Sequence, residues 1–230
     1  MPMSLALWLS EQIALLKQTP RTGWLHRGVP QPESVASHSY GVIFWTWFLV
    51  YRAQQRGASP LPDLETALLL ALLHDLPEAG TGDLVPRQRR LLFGDDKNTR
   101  NNAIRNAEAR FWEEAPSPPE SSPAPAPSLS LFEPDAISTV SDSSPAPTLE
   151  RDFARFIDEA RQRWQTLQNT ETPESRIVKQ ADKLDCLLQA LFYYQKGYPQ
   201  AQDFARLIDD AAGDDDELRA QLRHAWHPSP

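Results

Sequence analysis

The sequence predicts an all-α fold, and three observations carry that reading. Apolar residues recur at helical spacing along nearly the whole chain. Alternating runs of the kind that mark strands are nearly absent. Prolines and glycines punctuate the periodic segments and so delimit individual helices.

The elements follow in order. Leu5, Leu9, Ile13 and Leu16 lie on one helical stripe, which Pro20 closes. Residues 21–31 form a connector broken by Gly23, Gly28 and Pro30. Pro32-Glu33-Ser34 opens the next helix. Proline suits a first turn, whose N–H groups lack helical partners, and an acid there matches the positive end of the helix dipole. That helix carries His38 and runs to Arg56, ended by Gly57 and Pro60. It is apolar all round, which predicts a central position. Asp63 is a suitable N-cap for a helix over 64–75. Beyond Asp83, Leu84-Val-Pro-Arg leads into a polar stretch, then a helix with Ile104, Ala107, Glu108 and Phe111 that reaches Glu114. Phe153, Phe156, Ile157, Ala160 and Trp164 mark another. Pro173-Glu174 opens a long helix with Ile177, Ala181, Leu184, Leu188 and Leu191 as its core line. Two short helices, 200–212 and 214–227, close the chain.

Residues 115–148 differ from the rest. Proline and serine supply 18 of these 34 residues, and no period is present. Such a segment cannot bury enough apolar surface to offset its ordering entropy, so a disordered insertion is expected. It falls within one domain spanning 1–230, whose core is expected over 5–114 and 149–212, because helices on both sides contribute to the site described below.

The 230 residues are 40% hydrophobic and carry a net charge of −8. That charge argues against nucleic acid or an anionic membrane as the main partner. The basic run Arg87-Gln-Arg-Arg90 reads as a solvated face, with a local role near an anionic substrate as the alternative. Cys186 is the sole cysteine, so no internal disulfide can form and a reducing, cytoplasmic location is expected. Its place in a helical pattern reads as a small core residue. The first residues lack the pattern of a signal peptide, and the longest apolar run, 42–51, is too short to span a bilayer.

The chemistry concentrates where an apolar helix ends. Leu68-Leu-Leu-Ala-Leu-Leu runs directly into His74-Asp75, Pro77 stops the helix, and Glu78 and Asp83 follow. Burying His74 and Asp75 beside leucines costs several kcal/mol unless something pairs them. A divalent cation would do so. His38 lies in a second apolar helix, and imidazole and carboxylate are common ligands for Mn²⁺, Fe²⁺, Co²⁺ or Zn²⁺. Asp182 would complete the set, although its spacing also suits a salt bridge to Lys179 or Lys183. Trp24 reads either as an apolar plug or, beside Arg21 and Arg27, as part of a loop facing a base and a phosphate.

The order His38, His74-Asp75, Asp182 resembles the signature of the HD-domain metal phosphohydrolases. The likeness extends to three longer motifs of the 5′-deoxynucleotidase branch. They are Arg21-Thr-Gly-Trp-Leu-His-Arg-Gly-Val-Pro-Gln-Pro-Glu-Ser-Val-Ala-Ser-His38, His74-Asp-Leu-Pro-Glu-Ala-Gly-Thr-Gly-Asp83 and Val178-Lys-Gln-Ala-Asp-Lys-Leu-Asp185. The resemblance implies an HD-domain helical bundle, and hydrolysis of deoxynucleoside monophosphates to deoxynucleosides and phosphate. It implies His38, His74, Asp75 and Asp182 as ligands of one cation (Mn²⁺, Co²⁺ or Mg²⁺). Glu78 and Asp83 would be the catalytic acids, or ligands of a second cation. Trp24 would crowd a 2′-hydroxyl, with Arg21, Arg27 and Lys179 as phosphate partners, and the chain would form a homodimer. Ser37 stands where the family has an acid, which bears on the support of His38. Gly23 stands where bacterial members have an arginine before the tryptophan. Other HD-type activities, on triphosphates or cyclic nucleotides, and an inactive HD scaffold are the alternatives. No histidine falls between His74 and Asp182, which disfavours the histidine-rich two-metal types.

Overall fold

The computed structural model describes residues 5–116, 149–169 and 171–227, so residues 117–148 of the Pro/Ser-rich stretch lie outside it. Helices α1 (Leu5–Gln18), α2 (Thr22–Leu25), α3 (Val35–Gln55), α4 (Leu64–Leu73), α5 (Glu78–Thr81) and α6 (Pro86–Phe93) come first. Helices α7 (Lys97–Glu113), α8 (Leu149–Asn169) and α9 (Pro173–Gln195) follow. A 3₁₀ segment, Pro199–Leu207, leads into α10 (Ile208–Ala212) and α11 (Asp216–Trp226). Among the described residues there is no strand, and the all-α expectation holds; one isolated bridge pairs Pro20 with Ser34.

Capping explains most of the helix starts. Ser34 accepts the Ser37 N–H, Asp63 that of Thr66, Asp96 that of Thr99, Thr172 that of Ser175 and Asp215 that of Leu218. Several boundaries differ from the sequence reading: α4 ends at Leu73, not Asp75, and the helix read over 200–212 is a 3₁₀ segment up to Leu207. Ser34 is the N-cap of α3, so Pro32 and Glu33 precede the helix and the Glu33 carboxylate is free for another task. The polar stretch after Val85 is a helix, α6, with Pro86 in its first turn.

Two apolar clusters hold the bundle. The first joins Val42 and Leu49 of α3, Leu70 and Ala71 of α4, Val178, Ala181, Leu184 and Leu187 of α9, and Leu222 and Trp226 of α11. The second joins Leu5, Trp8 and Leu16 of α1, Phe111 and Trp112 of α7, and Ile157, Ala160 and Trp164 of α8. Val35 and Leu73 belong to the second cluster. Helices α3 and α4 therefore cross from one core to the other. His38, between Val35 and Val42, and His74, next to Leu73, fall at the seam.

The buried faces are rotated from those read in the sequence. Helix α1 buries Leu5, Trp8, Gln12 and Leu16, while Ile13 is exposed. Phe156 is half exposed, and α9 buries Val178 and Leu187 where Ile177 and Leu188 are only partly covered. Helix α3 is not apolar all round in its surroundings. Tyr40 (74% exposed), Phe44 (51%), Trp47 (56%) and Tyr51 (55%) form an outward row opposite His38, Val42, Thr46 and Leu49. No helix is long and apolar enough to cross a membrane among the described residues.

Candidate metal centre

Three long helices bring the sequence-predicted ligands together. His38 sits in the first turns of α3, His74 and Asp75 follow the end of α4, and Asp182 lies midway along α9. His38 Nε2 is 3.2 Å from Asp182 Oδ1 and 3.7 Å from Asp75 Oδ2; His74 Nε2 is 3.1 Å from the same Asp75 oxygen. The two imidazole rings lie 5.6 Å apart, centroid to centroid. Both Nε2 atoms are buried without a hydrogen-bond partner. A buried polar atom left unpaired costs about 1–3 kcal/mol, so these two nitrogens call for a missing partner.

The other nitrogen of each ring is occupied. His74 Nδ1–H donates to the Ala71 carbonyl at 2.7 Å, and His38 Nδ1–H donates to Asp185 Oδ2 at 2.7 Å. A proton held on Nδ1 leaves the Nε2 lone pair free, which is how a histidine is readied for a metal. Donor atoms of His38, His74 and Asp75 lie within 4.8 Å of one another, and Asp182 joins them through His38 at 3.2 Å; these donor types suit a divalent cation. Electrostatics agree. Burial and the Arg21 charge push the His38 ring down, yet Asp182, Asp185 and Asp75 outweigh them and hold it up at about 9. Asp75 and Asp182 are held well below the ordinary carboxylate range, against the effect of burial, by the neighbouring histidines with Arg21 and Lys183 respectively. The cluster is a place that favours positive charge.

Asp185 was read only as a neighbour of Asp182. It replaces the support that Ser37 cannot give. Its approach depends on Gly41, one turn beyond His38: a Cβ there would stand 2.0 Å from Asp185 Oδ1 and 2.7 Å from its Cγ. The glycine in Tyr40-Gly41-Val42 was the available signal.

Pro77 follows Asp75 in the turn after α4, and a short helix not read in the sequence, α5, begins at Glu78. Glu78 is buried, its Oε1 lies 4.0 Å from Arg89, and its Oε2 has no partner. Burial, then Asp75 and Asp83, raise its pKa well above the usual value. Gly82, at φ +72°, makes the turn to Asp83. Asp83 Oδ2 accepts the Thr22 N–H at 2.6 Å, and its Oδ1 is 3.8 Å from Arg21. Asp83 thus anchors the loop after α1 as well as lining the cavity.

That loop is fixed at both ends. Arg21 N–H donates to Glu33 O and Val35 N–H to Thr19 O, both at 2.9 Å. Trp24 is buried (2% exposed), as the apolar-plug reading expects, and also lines the cavity. It packs on Phe204 and Tyr193, and its Nε1–H donates to Glu33 at 2.9 Å. Arg21 lies 3.3 Å from Asp75, while Arg27 rests over Phe204 and lies 3.6 Å from Asp203.

A cavity of about 560 Å³ opens above the cluster. Arg21, Arg27, Arg89, Arg105, Arg206 and Lys183 all reach its wall. Of the basic run, Arg89 faces the cavity and Arg87 and Arg90 do not. Lys179 is exposed and lines a separate cavity of about 750 Å³ behind α9; the amine at the site is Lys183, 2.6 Å from Asp182. Glu108 of α7 also lines the site, lifted by burial to about 7.

A family model described as HD domain matches residues 13–117, a span that holds His38, His74 and Asp75. Over that span the chain is similar to the HD-domain family. It is 23% identical over 194 residues to 5′-deoxynucleotidase hdd1 of Schizosaccharomyces pombe, covering 84% of this chain and 74% of that protein. It is 24% identical over 194 residues to 5′-deoxynucleotidase HDDC2 of Xenopus laevis, covering 84% and 72%. Among solved structures, a conserved hypothetical protein from Pyrococcus furiosus superposes with a TM-score of 0.62 at 26% identity, over 94% of this chain and 96% of that one.

Proposed function

We propose that the chain is a divalent-metal-dependent 5′-deoxynucleotidase, which hydrolyses deoxynucleoside 5′-monophosphates to deoxynucleosides and phosphate. One observation carries the reading: two partnerless imidazole nitrogens and two carboxylates converge on the floor of a cation-lined cavity. The relatives named for this activity support it.

His38, His74, Asp75 and Asp182 would hold the cation, with Mn²⁺, Co²⁺ or Mg²⁺ as the candidates. A cation there lowers the pKa of its water from about 16 toward about 7 and offsets phosphoryl charge. Arg21, Lys183 and Arg89 supply donors to phosphate oxygens that the carboxylate floor would otherwise repel. Arg27 stands further out, over Phe204. Water oxygen bonds to phosphorus as the P–O5′ bond breaks, and the proton the water sheds leaves to solvent. Glu78, buried beside the site, would deliver a proton to the departing O5′. Asp83 keeps Thr22 and Arg21 in place; with Glu78 it is also the pair that would take a second cation. Trp24, fixed by Glu33, crowds the sugar and favours deoxyribose over ribose.

The resemblance also carries a homodimer, for which the exposed aromatic row of α3 is the available surface. A cytoplasmic setting accords with the single cysteine. The test of function is phosphate release from dAMP, dGMP and dTMP against AMP, with Mn²⁺ or Co²⁺ present. Faster release from the deoxy substrates is expected, and no release from any monophosphate by metal-loaded protein would refute the proposal.

A further inference from the structure

We propose that Cys186 is a fifth donor to the metal centre, and that its sulfur biases the site toward thiophilic divalent cations. This rests on the metal-centre reading above and says which cations that centre prefers. Cys186 lies one helical turn after Asp182 on α9, so its side chain stands over the Asp182 carboxylate. The thiol faces Asp182 Oδ1 at 3.8 Å. One donor atom each from His38, Asp182 and Cys186 lies within 4.8 Å of the other two.

The spacing is that of a shared coordination sphere. With metal–sulfur bonds of about 2.3 Å and metal–oxygen bonds of about 2.1 Å, right-angle to tetrahedral geometry sets the two donors about 3.1–3.6 Å apart. The observed 3.8 Å from sulfur to oxygen, and 3.2 Å from His38 Nε2 to the same oxygen, need a few tenths of an ångström of adjustment. A second observation points to a ligand at this spot: His38 is fully buried, and its Nε2 has no hydrogen-bond partner.

The surroundings suit a metal-bound thiolate. Arg21 Nη2 donates to Cys186 Sγ at 3.3 Å, and the sulfur lines the cavity beside His74, Asp75 and Asp182. On binding, the cation takes the place of the thiol proton, which leaves to solvent as the metal–sulfur bond forms; no electrons are transferred. A thiolate favours Zn²⁺, Co²⁺ or Cd²⁺ over Mg²⁺, whose preference is for oxygen. The sulfur adds to the preference that the two imidazoles already set.

The test is spectroscopic. Metal-free protein is titrated with Co²⁺, and the visible cobalt bands are read together with the near-ultraviolet sulfur-to-cobalt charge-transfer band. Wild type is expected to show both. Cys186→Ser is expected to keep the visible bands and lose the near-ultraviolet one, with Cys186→Ala as a second variant and thermal melting as the check of folding. Calorimetric Cd²⁺ affinity should fall more than about a hundredfold in the serine variant, beyond what loss of an outer support commonly costs, while Mn²⁺ affinity changes much less. Visible bands without the sulfur band in wild type would overturn the role of Cys186 and leave the metal centre standing. No cobalt bands at all would sink both.

Discussion

The floor of the cavity and its outer wall are built on different principles. The floor comes from α3, α4 and α9, the helices that meet in the apolar cores. His38 and His74 have their second nitrogens tied down, and His38, Asp185 and Glu78 are buried. The outer wall comes from the connector around α2, from α6 and α7 and from the 3₁₀ segment, with Lys183 reaching it from α9. Its arginines sit on long stems that are partly exposed, such as Arg27 and Arg89. The floor's geometry is therefore set by folding itself, before any ligand arrives. The wall supplies charge that can adjust to a substrate. Damage to the floor should abolish metal binding, whereas damage to the wall should change rate and affinity while the metal stays.

The largest effects are expected on the floor. His74→Ala should remove metal binding and phosphate release together, as measured by calorimetry and a phosphate assay. Metal at a hundredfold its Kd should stabilise wild type by about 2.7 kcal/mol and this variant not at all. Glu78→Gln separates the two roles: kcat should fall about 10²–10⁴-fold with metal affinity nearly kept. If metal binding were lost as well, Glu78 would belong to the floor.

A smaller effect is expected from Gly41→Ala, which touches neither metal nor substrate. Its methyl group would displace Asp185 and free the His38 ring. Metal affinity should fall about ten- to a hundredfold. Unchanged affinity would show that Asp185 does not support His38.

On the wall, Lys183→Ala should raise KM more than Lys179→Ala, because only the first amine reaches the site cavity. The smallest effect is a pH dependence of stability. Burial raises Glu108 from 4.5 to about 7, so its contribution is complete below pH 4.5 and lost as pH rises through about 7. Urea unfolding at about pH 5 and about pH 8 should show that loss in wild type, and Glu108→Gln should remove it.

The same division explains what the sequence could reveal. The floor was legible because ligand types stood out against apolar helices: His38, His74 and Asp75 needed partners that no leucine could give. Pro77 and the acids after it were legible for the same reason. Asp185 was hidden because its partner is 147 residues away, and only the folded bundle brings α9 against α3. Which face of a helix is buried was equally hidden. Helix α3 carries apolar residues on every side, and packing alone selects Val42 over Phe44. The wall was least legible. Arg89 looked like any charge in a basic run, and Lys183 and Lys179 looked equivalent beside Asp182 until the direction of α9 separated them.

Asp182 tests the central claim most directly, because it lies beyond the span matched to the HD domain and reaches the histidines only through the fold. Calorimetric titration with Mn²⁺ should show a single saturable site in wild type and none in Asp182→Asn, with thermal melting confirming that the variant is folded. Full-strength binding by a folded Asp182→Asn protein would contradict the four-donor centre.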